Sequence, residues 1–133
     1  MVNPVIIREL IDKADEDFKF AEVNLKERGN FLAPICFHFH QAAEKYLKTF
    51  IVAFELEFKK IHNLFHLFEI CRDREPSLEN IREDCKLLNR FYIDTRYPVH
   101  WPTHYTMDEG EKAYNAASQI RNFVKMLLVD FLK

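Results

Sequence analysis

Two glycines, Gly29 and Gly110, are all that the 133 residues contain. A turn-rich β architecture needs glycine wherever the chain adopts positive φ, so this scarcity argues against one. What fills the chain instead is a series of apolar positions at helical spacing. In residues 4–27 the stripe is Ile7, Leu10, Ile11, Ala14, Phe18, Ala21 and Leu25, with charges between its members. Asn3 is suited to cap that helix, Pro4 to its first turn, and Gly29 to its end.

A second helix is expected over 33–57, entered through Pro34. Phe39, Ala42, Ala43, Tyr46, Phe50 and Phe54 form its main stripe. Phe37, Ile51 and Val52 fall off that stripe, so the helix is either central in its bundle or buried against another subunit. Asn63 can cap a short helix over 64–74 with Leu64, Leu67, Phe68 and Cys71 in register, which Pro76 breaks. Ser77 then caps a fourth helix carrying Leu78, Ile81, Cys85, Leu88 and Tyr92, which ends near Arg96 and Tyr97. Pro98 and Pro102 make 98–105 an irregular loop. Thr106-Met-Asp-Glu109 reads as a capping box opening a last helix to about residue 131. Its stripe is Ala113, Ala116, Ala117, Ile120, Val124, Leu127 and Phe131.

The pattern predicts an all-α, up-and-down bundle of four long helices and one short one, folded as a single domain over 1–133. A hydrophobic content of 48% excludes a disordered chain, and a net charge of −2 means that any polyanion site is a local patch. Cys36, Cys71 and Cys85 are odd in number, contain no Cys-x-x-Cys, and sit in apolar helical patterns, as reduced structural thiols of a cytoplasmic protein do. The N-terminus lacks a signal-peptide pattern. The apolar run Phe50–Phe58 is short and interrupted by Glu55 and Glu57, so no membrane span is expected.

Gln41, Lys45 and Lys48 stand at i, i+4 and i+7, on one face of the second helix. Such a face is either solvated, with Glu44 and Glu55 nearby, or a phosphate site. Asn89 and Arg96, seven apart, share a face of the fourth helix. The stretch Arg96-Tyr-Pro-Val-His100-Trp101-Pro-Thr-His104-Tyr105 is rich in groups that bind nucleotides or move protons. It also suits a proline-stiffened connection packed by Tyr97 and Trp101. His62 and His66 lack the intervening glutamate of a zinc protease, and His38 and His40 point to different helix faces, so no metal site and no cofactor are expected.

Three segments, Gln41-Ala-Ala-Glu-Lys-Tyr-Leu-Lys48, Lys60-Ile-His-Asn-Leu64 and Tyr92-Ile-Asp-Thr-Arg-Tyr-Pro98, occur together in the order found in the HEPN family (higher eukaryote and prokaryote nucleotide-binding domain), which this chain resembles over nearly its whole length. The resemblance implies a homodimer in which polar faces of the second and fourth helices meet in a cleft, and a separate minimal nucleotidyltransferase as partner. In that reading Lys45, Lys48 and Arg96 hold phosphate, Gln41 and Asn89 orient it, and Tyr97 or Trp101 contacts a base. Many members are metal-independent ribonucleases, including toxins of toxin–antitoxin pairs, with an arginine, four to six residues and then a histidine. That rival would use Arg96 with His100 or His104 as catalytic residues. Here three residues separate Arg96 from His100 and seven separate it from His104. Tyr97 follows the arginine, and Tyr105 directly follows His104, where toxin members place their modified tyrosine two positions beyond the histidine. These departures favour a nucleotide- or nucleic-acid-binding member. A third alternative is a protein–protein assembly module.

Overall fold

The computed structural model describes residues 2–27, 31–57, 63–96 and 105–133, with backbone alone for 92–96. Five α-helices occur among them: α1 (Pro4–Glu27), α2 (Leu32–Ala53), α3 (Leu64–Arg74), α4 (Arg82–Arg96) and α5 (Met107–Leu127). Two 3₁₀ turns, Pro76–Ile81 and Val129–Phe131, complete the elements, and no strand is present among the described residues. The fold is all-α, as expected. Gly29 lies outside the described residues.

The starts of α1, α3 and α5 follow their capping chemistry, whereas α2 begins after Phe31 with no side-chain cap. Asn3 Oδ1 accepts the Val5 N–H at 2.9 Å, and Asn63 Oδ1 accepts those of Phe65 and His66 at 3.0 and 3.2 Å. The capping box at α5 is formed: Thr106 Oγ1 accepts the Glu109 N–H at 3.2 Å, and Glu109 Oε1 accepts the Thr106 N–H at 3.2 Å.

Three boundaries differ from expectation. Helix α2 stops at Ala53, short of residue 57. Glu55 adopts a left-handed φ of 53°, its N–H donates to the Val52 carbonyl, and the Leu56 N–H donates to that of Ile51. This is a Schellman closure with glutamate where glycine is usual. The fourth helix does not start from a Ser77 cap. Glu75 is the capping residue, its carboxylate accepting the Ser77 N–H and hydroxyl, and Pro76 takes the first position, where its fixed φ fits and its missing N–H is not needed. In this 3₁₀ turn Leu78 and Ile81, three apart, both reach the core. The helix proper begins at Arg82, and near the end of the chain α5 gives way to a 3₁₀ turn beyond Leu127.

Helix α2 is central and packs against α1, α3, α4 and α5. Ile51 is 1% exposed within the chain's own core, which assigns this off-stripe position to the central-helix reading, whereas Phe37 and Val52 are half-buried. Tyr46, Phe39, Phe50, Phe68 and Phe91 are the largest fully buried side chains. A polar hub ties α1, α2 and α5 together: Asp15 accepts the Tyr46 hydroxyl, Arg121 Nε at 3.1 Å and Lys125 Nζ at 2.8 Å. Cys36, Cys71 and Cys85 are buried free thiols.

Candidate functional site

The solvent side of α2 is built where it meets α1. Lys45 reaches across the seam and sets Nζ 2.6 Å from Asp17 Oδ2. Two turns earlier on α2, His38 Nδ1 stands 3.6 Å from the other oxygen of the same carboxylate. Lys48 folds back along its own helix to Glu44, Nζ to Oε2 at 3.3 Å. Gln41, a turn before Lys45, is half-buried. Asp17 thus aims Lys45 from α1, and Glu44 aims Lys48 from the preceding turn.

Beside these lysines runs a groove of about 220 Å³, lined by Leu10 and Lys13 from α1 and by Lys45, Lys48, Thr49 and Val52 from α2. Its surface is almost entirely carbon, with the lysine ammonium groups at the rim. Leu10 was expected in the core stripe of α1, yet it is half-exposed and faces this groove. Thr49 is buried and donates its hydroxyl to the Lys45 carbonyl at 2.7 Å. A pair as exposed as Lys45–Asp17, at 43% and 20%, is worth less than about 1 kcal/mol, so an incoming phosphate can compete for that ammonium. With no histidine or carboxylate in its lining, the groove provides binding chemistry: a carbon floor under a positive rim.

The remaining predicted residues lie elsewhere. Asn89, on α4, reaches the start of α3, where its Oδ1 accepts the Leu64 N–H at 3.0 Å. That bond fixes the amide orientation and leaves its NH₂ to offer. Arg96 is the last residue of α4, described by its backbone. Tyr97, His100, Trp101 and His104 lie outside the described residues, as do Lys60 and His62. Tyr105 is described; its ring packs edge-on to Phe91, centroids 5.5 Å apart.

Sequence reasoning missed two sets of residues. Leu10, Lys13 and Asp17 share a face of α1 at i, i+3 and i+7 spacing, but nothing local says that this face meets the lysines of α2. His40 and Glu44, one turn apart on α2, are 0% and 6% exposed, where a solvated glutamate was one expectation. The His40 ring stacks with Phe37 at 6.1 Å. Among the described residues no three His, Cys, Asp or Glu side chains come together as a metal site, and no helix is long and apolar enough to cross a membrane.

The HEPN domain family model matches residues 7–127. Among solved structures, TT1696 from Thermus thermophilus is similar at 29% identity over 94% of this chain and 98% of its own, with a TM-score of 0.79. ST0689, described as an archaeal HEPN homologue, is similar at 26% identity over 92% and 97%, with a TM-score of 0.74. A search of curated proteins gave no match.

Proposed function

Given that the chain belongs to the HEPN domain family, we propose that it is a homodimeric, cytoplasmic helical module that binds a nucleotide or nucleic-acid segment and acts beside a separate minimal nucleotidyltransferase. The observation that carries the binding reading is that Lys45 and Lys48, anticipated as phosphate ligands, emerge together on the rim of one groove with Lys13 beside them. Mobile ammonium groups held near a carbon surface suit a ligand that is part aromatic and part phosphate. Gln41 supplies a neutral hydrogen-bonding group on the same face, and Arg96 at the end of α4 brings a planar donor fork. Asn89 orients the ligand through its NH₂, and Tyr97 or Trp101 contributes an aromatic face.

The dimer reading draws on apolar side chains that the fold leaves uncovered on α1 and at the start of α2. Phe20, Val23 and Phe31 are 53%, 49% and 74% exposed, and the Phe20 ring lies 4.7 Å from that of His38. Such a patch in a stable chain suits a partner surface.

The test is titration of the full chain with nucleotides and with labelled RNA in chelator, alongside light scattering for mass. Saturable binding without cleavage by a dimer is expected. Arg96→Ala should weaken binding by ~2–3 kcal/mol, because a charge-assisted bidentate contact is lost, and Arg96→Lys should recover only part. Cleavage that disappears in His100→Ala or His104→Ala would replace this reading with the ribonuclease. Absence of both binding and cleavage would leave the assembly module.

A further inference from the structure

Building on the nucleotide-binding reading, we propose that the α1–α2 groove is the nucleobase pocket, and that its ligand class is a nucleoside 5′-phosphate accepted with little regard to the base. The argument starts from two apolar side chains that the core leaves partly uncovered. Leu10, on the α1 stripe, and Val52, off the α2 stripe, are both partly buried, and both face the same groove. With the stems of three lysines they make a carbon-walled slot of about 220 Å³. That is below the ~300–1,000 Å³ of pockets that enclose a drug-sized molecule, so the slot takes one ring system and leaves the rest of the ligand at the rim.

The rim supplies the charge. Lys45 and Lys48 are tethered to Asp17 and Glu44, whereas Lys13 is exposed and makes no ion pair among the described residues. Lys13 thus adds an ammonium group to those of Lys45 and Lys48 at the mouth of an apolar slot whose lining holds no carboxylate. A flat apolar body bearing a phosphate is complementary to that arrangement. The floor carries no hydrogen-bonding code, because its surface is almost entirely carbon and the buried Thr49 hydroxyl donates to the Lys45 carbonyl at 2.7 Å. Discrimination between bases needs polar groups that the wrong base would leave unpaired, and this floor has none to leave. Leu10, Lys13 and Val52 therefore join the site as base-holding and phosphate-following residues. The same chemistry is presented by a free mononucleotide and by the phosphorylated 5′ end of an RNA.

Calorimetric titration of the full chain with AMP, GMP, CMP, UMP, adenosine, inorganic phosphate and a 5′-phosphorylated tetranucleotide tests this. The four monophosphates should bind within about threefold of one another, and adenosine and phosphate should each bind at least ~10-fold more weakly than AMP does. Val52→Trp, which fills the slot, should weaken AMP at least ~10-fold. Lys13→Glu, at an exposed position, should weaken AMP with an unchanged melting temperature and leave adenosine unaffected. Tighter binding of the tetranucleotide than of AMP identifies the RNA end as the source, and equal or weaker binding the free nucleotide. AMP bound normally by both variants but lost in Arg96→Ala would place the base elsewhere, overturning this inference while the nucleotide-binding reading stands. A spread above about 30-fold among the four bases would overturn base tolerance. No binding of any nucleotide by the wild type would overturn both readings together.

Discussion

Replacing Asp15 by alanine should destabilise the protein by ~2–4 kcal/mol, and the reason is the phenol it leaves behind. Asp15 accepts the Tyr46 hydroxyl, and the Tyr46 side chain is fully buried. A buried hydroxyl stripped of its partner costs ~1–3 kcal/mol. Arg121 and Lys125, each 26% exposed, would also lose their carboxylate, at ~0.2–1 kcal/mol apiece. Tyr46→Phe removes donor and demand together and should cost only about 1 kcal/mol. In Asp15→Ala/Tyr46→Phe the stranded hydroxyl no longer exists, so the double variant should fall short of the summed losses by about 1–2 kcal/mol. Urea denaturation followed by helical circular dichroism gives all four free energies. The two losses adding within ~0.3 kcal/mol, or Asp15→Ala costing under ~1 kcal/mol, would refute the reasoning. The pH dependence follows with a definite sign. Burial by itself raises the Asp15 carboxyl, and Lys125, Tyr46 and Arg121 outweigh it, holding the group below its ordinary 3.8. A carboxylate depressed by folding stabilises above its unfolded value and loses that contribution as pH falls through the folded one. The advantage of wild type over Asp15→Asn should therefore be complete at neutral pH and shrink below pH ~4.

Asn89→Ala should cost ~1–2 kcal/mol by orphaning the Leu64 N–H, while Asn89→Asp, which keeps the acceptor, should cost less; equal losses in thermal melts would count against the cap. The native thiols should resist a bulky labelling reagent at pH 8, since burial pushes Cys36 and Cys71 up to about 12 and moves Cys85 in the same direction; prompt labelling of all three would contradict this. Glu55→Gly should stabilise by roughly 0.5–1 kcal/mol because it relieves the left-handed backbone at φ 53°, and a lower midpoint in urea would refute that account.

The helices were legible where a local chemical signal marks them. Asn63 and the Thr106–Glu109 pair announce α3 and α5, and both caps form as their side chains dictate. The end of α2 was not legible, because Glu55 occupies a position whose usual marker is glycine. The start of α4 was blurred because Leu78 and Ile81, three apart, satisfy a 3₁₀ turn as well as an α-helix. At the site, the spacing of Gln41, Lys45 and Lys48 was readable along one helix. The contribution of α1 was not, since the meeting of Asp17 with Lys45 spans a seam between helices and leaves no periodic trace. The burial of His40 and Glu44 is likewise a property of the surrounding helices.

The Leu64–Asn89 hydrogen bond also bears on how the bundle opens and closes. An isolated helix shorter than ~12–15 residues is marginal in water, and α3 has 11. Its first amide is held by a side chain 25 positions along the chain, on α4. The start of α3 is therefore stabilised by the docking of α4, which favours the two forming and melting together. Protection of the Leu64 amide against solvent exchange then reports the docking of α4, the helix that carries Arg96.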